Sequence, residues 1–214
     1  MPMRCCLILT ALLLFSVTCT PAFAGDELEE GFISLWDGKT FDNWKISENP
    51  DSWSIKDGAF VAKGPRSHLF YVGPEAPFKN FVFKVDCKTA ENSNGGIYFH
   101  TKFQEEGWPR WGYESQVNNS HGDPKRTGSL YEVVNVYQQI IPDNTWWTQT
   151  ITVNDKHIRV ELDDTIVVDY LERPMKPFDK DDWQRYLSEG TFCFQAHDPG
   201  STVWFKNVRV KRLD

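Results

Sequence analysis

From Phe81 to Lys88 the chain alternates without a break. Phe81, Phe83, Val85 and Cys87 fall on one side, and Val82, Lys84, Asp86 and Lys88 on the other. A period of two marks a strand with one face on a core and the other toward water. Trp53 to Lys63 reads as a hairpin through Asp57-Gly58, a pair that accepts positive φ at both turn positions. Pro65 to Phe78 is loop-like with a short strand at Leu69–Val72, and Gly95-Gly96 is expected to turn the chain into Ile97–His100. Trp146–Val153, His157–Leu162 and Ile166–Tyr170 are successive strands, with turns at Asn154-Asp155-Lys156 and Asp163-Asp164. Thr191–His197 and Thr202–Arg212 close the chain as an antiparallel pair around Asp198-Pro199-Gly200, and one short helix is expected around Asp179–Leu187. Many short strands, regular turns and almost no helix predict an all-β fold, an antiparallel two-sheet sandwich of the jelly-roll type. The strand order is not legible.

The first 24 residues break this pattern. Arg4, an apolar run from Leu7 to Val17 and Ala22-Phe23-Ala24 have the order of a secretory signal peptide, so the expectation is residues 1–24 as signal and 25–214 as a single domain. Export to a periplasmic or extracellular space follows from that reading. It leaves Cys87 and Cys193 as the cysteines of the mature chain, which an oxidising compartment would allow to pair; bridge and buried free thiols both stay open.

Charge narrows the partners. The net charge is -7, and loss of Arg4 leaves 22 basic against 30 acidic residues, or -8. Nucleic acid and anionic membranes both call for a basic face, so neither is expected, nor is a membrane span after the signal. Nine tryptophans and fifteen phenylalanines supply a sandwich core with rings left over for stacking on sugars.

Candidate chemistry gathers between Asn92 and Val136. On a strand from Gly112 to Asn118, alternation puts Glu114, Gln116 and Asn118 on one face and Tyr113, Ser115 and Val117 on the other. Trp108, Trp111 and Tyr113 flank the row on one side, and His121 and Lys125-Arg126 on the other, which suits a cleft wall. His100 shares parity with Tyr98 and His197 with Gln195, both at strand ends beside loops; His68 and His157 lack such company and read as surface residues. A metal held by His100, Glu114 and His121 is conceivable from the donor types, yet no metal-motif spacing supports it, and no cofactor is expected. Nucleophile motifs and phosphate loops are absent.

In this order, SLWDGKTFDNW, WSIKDGAFV, NGGIYFH, GYESQVNN, GDPKRTGSLYEVVN and QAHDPGSTVWFKNVRVKRL resemble the 3-keto-disaccharide hydrolase (3-keto-glucoside lyase/hydratase) domain family, over roughly Phe32 to Leu213. The resemblance implies a concanavalin A-like sandwich acting on a 3-keto-glycoside or other small carbohydrate. A ketone at C3 acidifies the C2 hydrogen; a base removes it, the enolate expels the C1 substituent, and water can then add. Under that reading Glu114 is the candidate base, with His197 and His100 as acid and oxyanion donor in an order left open. Gln116, Asn118, Gln195 and Tyr131 would bind hydroxyls and Trp111 would stack on a ring. Ser115 stands where members often have Ala or Val. Two alternatives are a non-catalytic carbohydrate-binding module and a glucanase-type hydrolase, the latter needing a second carboxylate such as Asp198 or Glu132.

Overall fold

The computed structural model describes residues 28–174 and 185–213. The expected signal segment and most of the expected helix around residues 179–187 lie outside the described residues. Among the described residues, thirteen strands run in chain order: β1 (Ile33–Ser34), β2 (Trp44–Ile46), β3 (Trp53–Lys56), β4 (Ala59–Ala62), β5 (Ser67–Tyr71), β6 (Phe81–Thr89), β7 (Asn94–Thr101), β8 (Tyr113–Asn118), β9 (Trp147–Asn154), β10 (His157–Leu162), β11 (Thr165–Leu171), β12 (Thr191–Ala196) and β13 (Val203–Arg212). They form two antiparallel sheets. One has the order β11-β10-β9-β6-β13-β4-β3 with β1 on β13, and the other is β2-β5-β12-β7-β8.

The alternation of β6 survives intact: its odd-numbered residues are buried and its even-numbered ones half-buried. Asp57 and Gly58, both at positive φ, close the β3–β4 hairpin. Between the sheets the filling is largely aromatic. Phe194 stacks on Phe205 with centroids 4.3 Å apart, Phe83 on Phe192 at 4.1 Å and Trp36 on Phe60 at 3.7 Å. Cys87 and Cys193 are free buried thiols, one in each sheet.

Two readings of the chain are corrected. Gly95 and Gly96 lie inside β7, paired with Val117 and Gln116, and make no turn. β12 and β13 do not pair with each other; β12 lies between β5 and β7, whereas β13 pairs with β4 and β6. The turn at Asp198–Gly200 therefore carries the chain across from one sheet to the other, which a turn signal alone does not distinguish from a hairpin.

Candidate active site

The outward face of the five-stranded sheet carries the site. Register fixes which side chains share it: Cys193 pairs with Phe70 and with Tyr98, Gln195 with His68, and Tyr98 with Glu114. Leu69, Ile97, Val117 and Phe194, at alternate positions, point into the core instead. All residues of β5, β7, β8 and β12 are nonetheless buried, so this outer face is covered rather than open to water.

Two loops do the covering. In the one after β7, the Gln104 amide donates to the carbonyls of Glu106, Gly107 and Trp108, and Glu48 takes the Gly107 N–H at 3.0 Å while holding Arg66 through two bonds. This sets Trp108 edge-on to His68 at 5.5 Å and 5.4 Å from the His197 ring. In the loop after β8, residues 128–131 run along the edge of that strand: Gly128 and Ser129 bond with Gln116, and the Tyr131 N–H donates to the Glu114 carbonyl at 2.9 Å. An unpaired strand edge is thereby closed, and Tyr131 is fixed beside Glu114.

Glu114 is the centre of the floor. The residue is 7 % exposed, and its carboxyl accepts from Gln195 Nε2 at 3.3 Å and takes the Tyr98 hydroxyl. Gln195 Nε2 also donates to Tyr98 Oη at 2.8 Å. With its amide nitrogen turned inward, Gln116 donates to Glu114 Oε1 at 3.2 Å and to Gly95 O at 3.1 Å. Burial raises the Glu114 pKa to about 7, against the opposing pull of Tyr98, Arg185 and Gln195. The carboxyl can reach across β7 because Gly96 has no side chain there.

His197 follows β12, two residues beyond Gln195. Its Nδ1 lies 2.8 Å from Asp198 Oδ2, which also accepts from Ser201 Oγ at 2.7 Å, while Asp198 Oδ1 accepts the Gly200 N–H at 2.8 Å. Partial burial works against ionisation of Asp198, but Ser201, His197 and Gly200 together hold its pKa below the usual carboxylate value. A carboxylate on Nδ1 places the ring proton there and leaves Nε2 as the atom that exchanges protons. His121 approaches the same oxygen with Nε2 at 3.9 Å, its ring 5.6 Å from that of His197.

His121, His197 and Asp198 offer ligand atoms all within 4.8 Å of one another, a donor set that could hold a cation. His121 Nδ1 accepts the Asp123 N–H at 3.1 Å, so the neutral ring carries its own proton on Nε2, the nitrogen that a cation beside Asp198 would need. The trio His100, Glu114 and His121, considered as ligands on residue type, is not assembled, because His100 lies elsewhere.

Three expectations, on His100, Asn118 and His68, need correction. His100 has φ +56° at the irregular end of β7, and its ring turns to Phe81. Its Nε2 bonds the Lys79 carbonyl at 2.9 Å and its Nδ1 accepts the Ser188 N–H at 3.2 Å. It ties segments together and does not face Glu114; parity with Tyr98 fails where the strand departs from β geometry. Asn118 spends its whole amide on the following loop, donating to Asp123 O and Lys125 O and accepting from the His121 N–H and Arg126 Nη1. Nothing is left for a sugar hydroxyl. Trp111 is half-buried and carries Lys102 over its ring at 5.7 Å, whereas Trp108 is the indole that touches His68 and His197. His68, read as a surface residue, has no exposure at all. Burial brings its pKa down to about 3, so the ring is neutral. His157 is exposed, as expected.

Ser115, on the opposite face from Glu114, accepts Gln149 Nε2 at 2.7 Å and so joins the two sheets. Tyr131 Oη lies 3.4 Å from both Lys125 Nζ and Asp123 Oδ2. Among the described residues, no helix is long and apolar enough to cross a membrane.

Comparison with known proteins shows the family and the fold. The chain is 27 % identical over 235 residues to a 3-keto-disaccharide hydrolase of Bacteroides thetaiotaomicron, an alignment covering 86 % of this chain and 79 % of that protein. Among solved structures, a candidate glycosyl hydrolase from Parabacteroides distasonis superposes with a TM-score of 0.68 at 24 % identity, covering 86 % of this chain and 95 % of that one. The carbohydrate-binding module CBM66 of Bacillus subtilis gives 0.56 at 16 % identity over 78 % of this chain and 94 % of its own, a likeness of fold alone. The model of the 3-keto-alpha-glucoside-1,2-lyase-like domain family matches residues 31–211, and the chain belongs to that family.

Proposed function

We propose that this protein is an exported enzyme that cleaves 3-keto-glycosides by elimination at C1, followed by hydration. The observation that carries the reading is one buried carboxyl, Glu114, bonded to Gln195 and Tyr98 on a covered sheet face next to the His197–Asp198 pair. With a pKa near the working pH, Glu114 is suited both to take a proton and to return it.

In the first half-reaction Glu114 takes the C2 proton. The electron pair forms the C1–C2 double bond as the C1–O bond breaks, and protonated His197 gives its Nε2 proton to the leaving oxygen. Asp198 on Nδ1 holds the ring and leaves Nε2 as the nitrogen that gives that proton. In the second half-reaction neutral His197 takes a proton from water as its oxygen bonds to C1, and Glu114 returns its proton to C2. The sum is one water consumed and one alcohol released, with both residues restored. Gln116 and Gln195 orient the Glu114 carboxyl, and Trp108 walls the sugar. No step uses a resident cofactor.

A glucanase mechanism needs two free carboxylates across the bond. Asp198 is committed to His197, Ser201 and Gly200, and Glu132 pairs with Lys125 at 2.6 Å. Purified protein incubated with a 3-keto-disaccharide and its unoxidised parent tests the proposal. Release of the aglycone sugar from the oxidised compound only is expected; turnover of neither, with binding retained, would make this a binding module.

A further inference from the structure

Three polar atoms on the floor of the site have no use in the mechanism above. Neither ring nitrogen of His68 has a hydrogen-bond partner, and neither has Gln195 Oε1, although all three are buried. The two residues face each other in register across β5 and β12. Gln195 already donates its amide nitrogen to Tyr98 and Glu114, which fixes its carbonyl oxygen as the free end. Buried polar groups are normally paired, and two adjacent exceptions on one sheet face mark a place where a ligand supplies the missing partners.

We propose that His68 and Gln195 form the subsite that grips the C3 carbonyl oxygen of the sugar and a neighbouring hydroxyl. The inference rests on the functional reading above and adds the donor that the chemistry requires, a place that His100 does not fill. A neutral imidazole has one N–H and one lone pair, and the Gln195 oxygen adds acceptors. A ketone oxygen can only accept and a hydroxyl beside it can donate, so the sets are complementary. His68 donates to the C3 oxygen, and that bond strengthens as charge moves onto this oxygen when Glu114 takes the C2 proton. The neutrality of His68, enforced by burial, suits a donor that must not bind anions indiscriminately. The Trp108 indole stands edge-on against the His68 ring, and the incoming sugar replaces that contact.

The test uses 1,5-anhydro-3-keto-glucitol, which has no exocyclic C1 substituent to expel, in D2O, alongside turnover of a 3-keto-disaccharide and binding of unoxidised 1,5-anhydroglucitol. The parent protein is expected to exchange the C2 hydrogen and to bind the keto compound more tightly than the alcohol. His68→Phe should lose exchange and turnover by roughly 10²–10³-fold, the usual effect of removing an oxyanion donor, together with the preference for the ketone. Its melting temperature should hold or rise, since an apolar ring replaces an unsatisfied polar one. His68→Gln, which keeps an N–H, should recover part of the rate. Unchanged exchange in His68→Phe overturns the inference and leaves the functional reading intact. A lower melting temperature with no recovery in His68→Gln makes His68 a packing residue and overturns it as well. A parent protein that neither exchanges nor cleaves any 3-keto sugar removes both.

Discussion

A Cβ on Gly96 would stand 2.3 Å from Oε1 of Glu114. Non-bonded atoms do not tolerate that distance, so the carboxyl occupies the space of a missing side chain on the neighbouring strand. Gly96→Ala should leave the sheet paired and push the carboxyl off its bonds to Gln195 and Tyr98. We expect a rate loss of roughly 10²-fold, the scale of a misplacement of about 1 Å, with a small change in melting temperature. A variant of full activity would show that the carboxyl need not lie across β7.

Glu114→Gln removes the proposed base and keeps its shape. General acid–base assistance is worth roughly 10²–10⁴-fold, and the loss should appear in kcat with the 3-keto substrate. In the parent, activity dependent on ionised Glu114 should rise with pH through about 7. A rate profile flat across that range would assign the proton to another group.

The same carboxyl predicts a stability signature. Burial lifts its pKa from 4.5 to about 7, so in that window the folded protein keeps a proton that the unfolded chain has released. Its contribution is fully present below pH 4.5 and is lost as pH rises through 7, a total on the order of 3 kcal/mol at about 1.4 kcal/mol per pH unit. His68 and His100, lowered by burial to about 3 and about 4, act in the opposite sense, adding stability as pH rises toward 6.5. The difference between parent and Glu114→Gln isolates the carboxyl. Urea unfolding at pH 4 and pH 8 should find Gln relatively more stabilising at the higher pH; parallel curves would mean that the carboxyl is not desolvated.

Asp198 has the role of holding His197. Asp198→Asn should lower kcat far more than it raises KM, because an amide does not fix the proton on His197 Nδ1 as a carboxylate does; Asp198→Glu should restore part of the rate. Steady-state kinetics of the two variants decides this, and equal losses in KM would make Asp198 a sugar ligand instead.

Because His121 keeps its proton on Nε2, exhaustive chelation should leave turnover unchanged. Loss of activity with a chelator, restored by added zinc, would reassign His121, His197 and Asp198 as a metal centre.

Alternation is informative where residue types contrast. β6 has one half-buried polar face, and β8, although buried throughout, still sets Glu114, Gln116 and Asn118 against Tyr113 and Val117. In β5 and β12 every residue is buried, one face by the core and the other by the loops, so the contrast vanishes and His68 looks like any isolated polar residue. The backbone irregularity at His100 has no side-chain signature, and it reversed the expected orientation. Glu114 and Gln195 meet because β8 and β12 both flank β7, and His197 follows Gln195 out of β12, an order that no local pattern encodes. Trp108 and Trp111 differ only in how the loop between them curls, which is settled by Gln104 and Glu48.

On the proposed mechanism, the crossing between β12 and β13 ties catalysis to the docking of the two sheets. Asp198 sits in the link between the two sheets, and Ser201, which bonds it, also accepts the Asn94 N–H at the start of β7. A chain whose sheets had formed but not yet docked would hold its histidine loosely and could not turn over. During refolding, catalytic competence should therefore return in step with the fluorescence of the aromatic interior, not with the earlier circular-dichroism signal of strand formation.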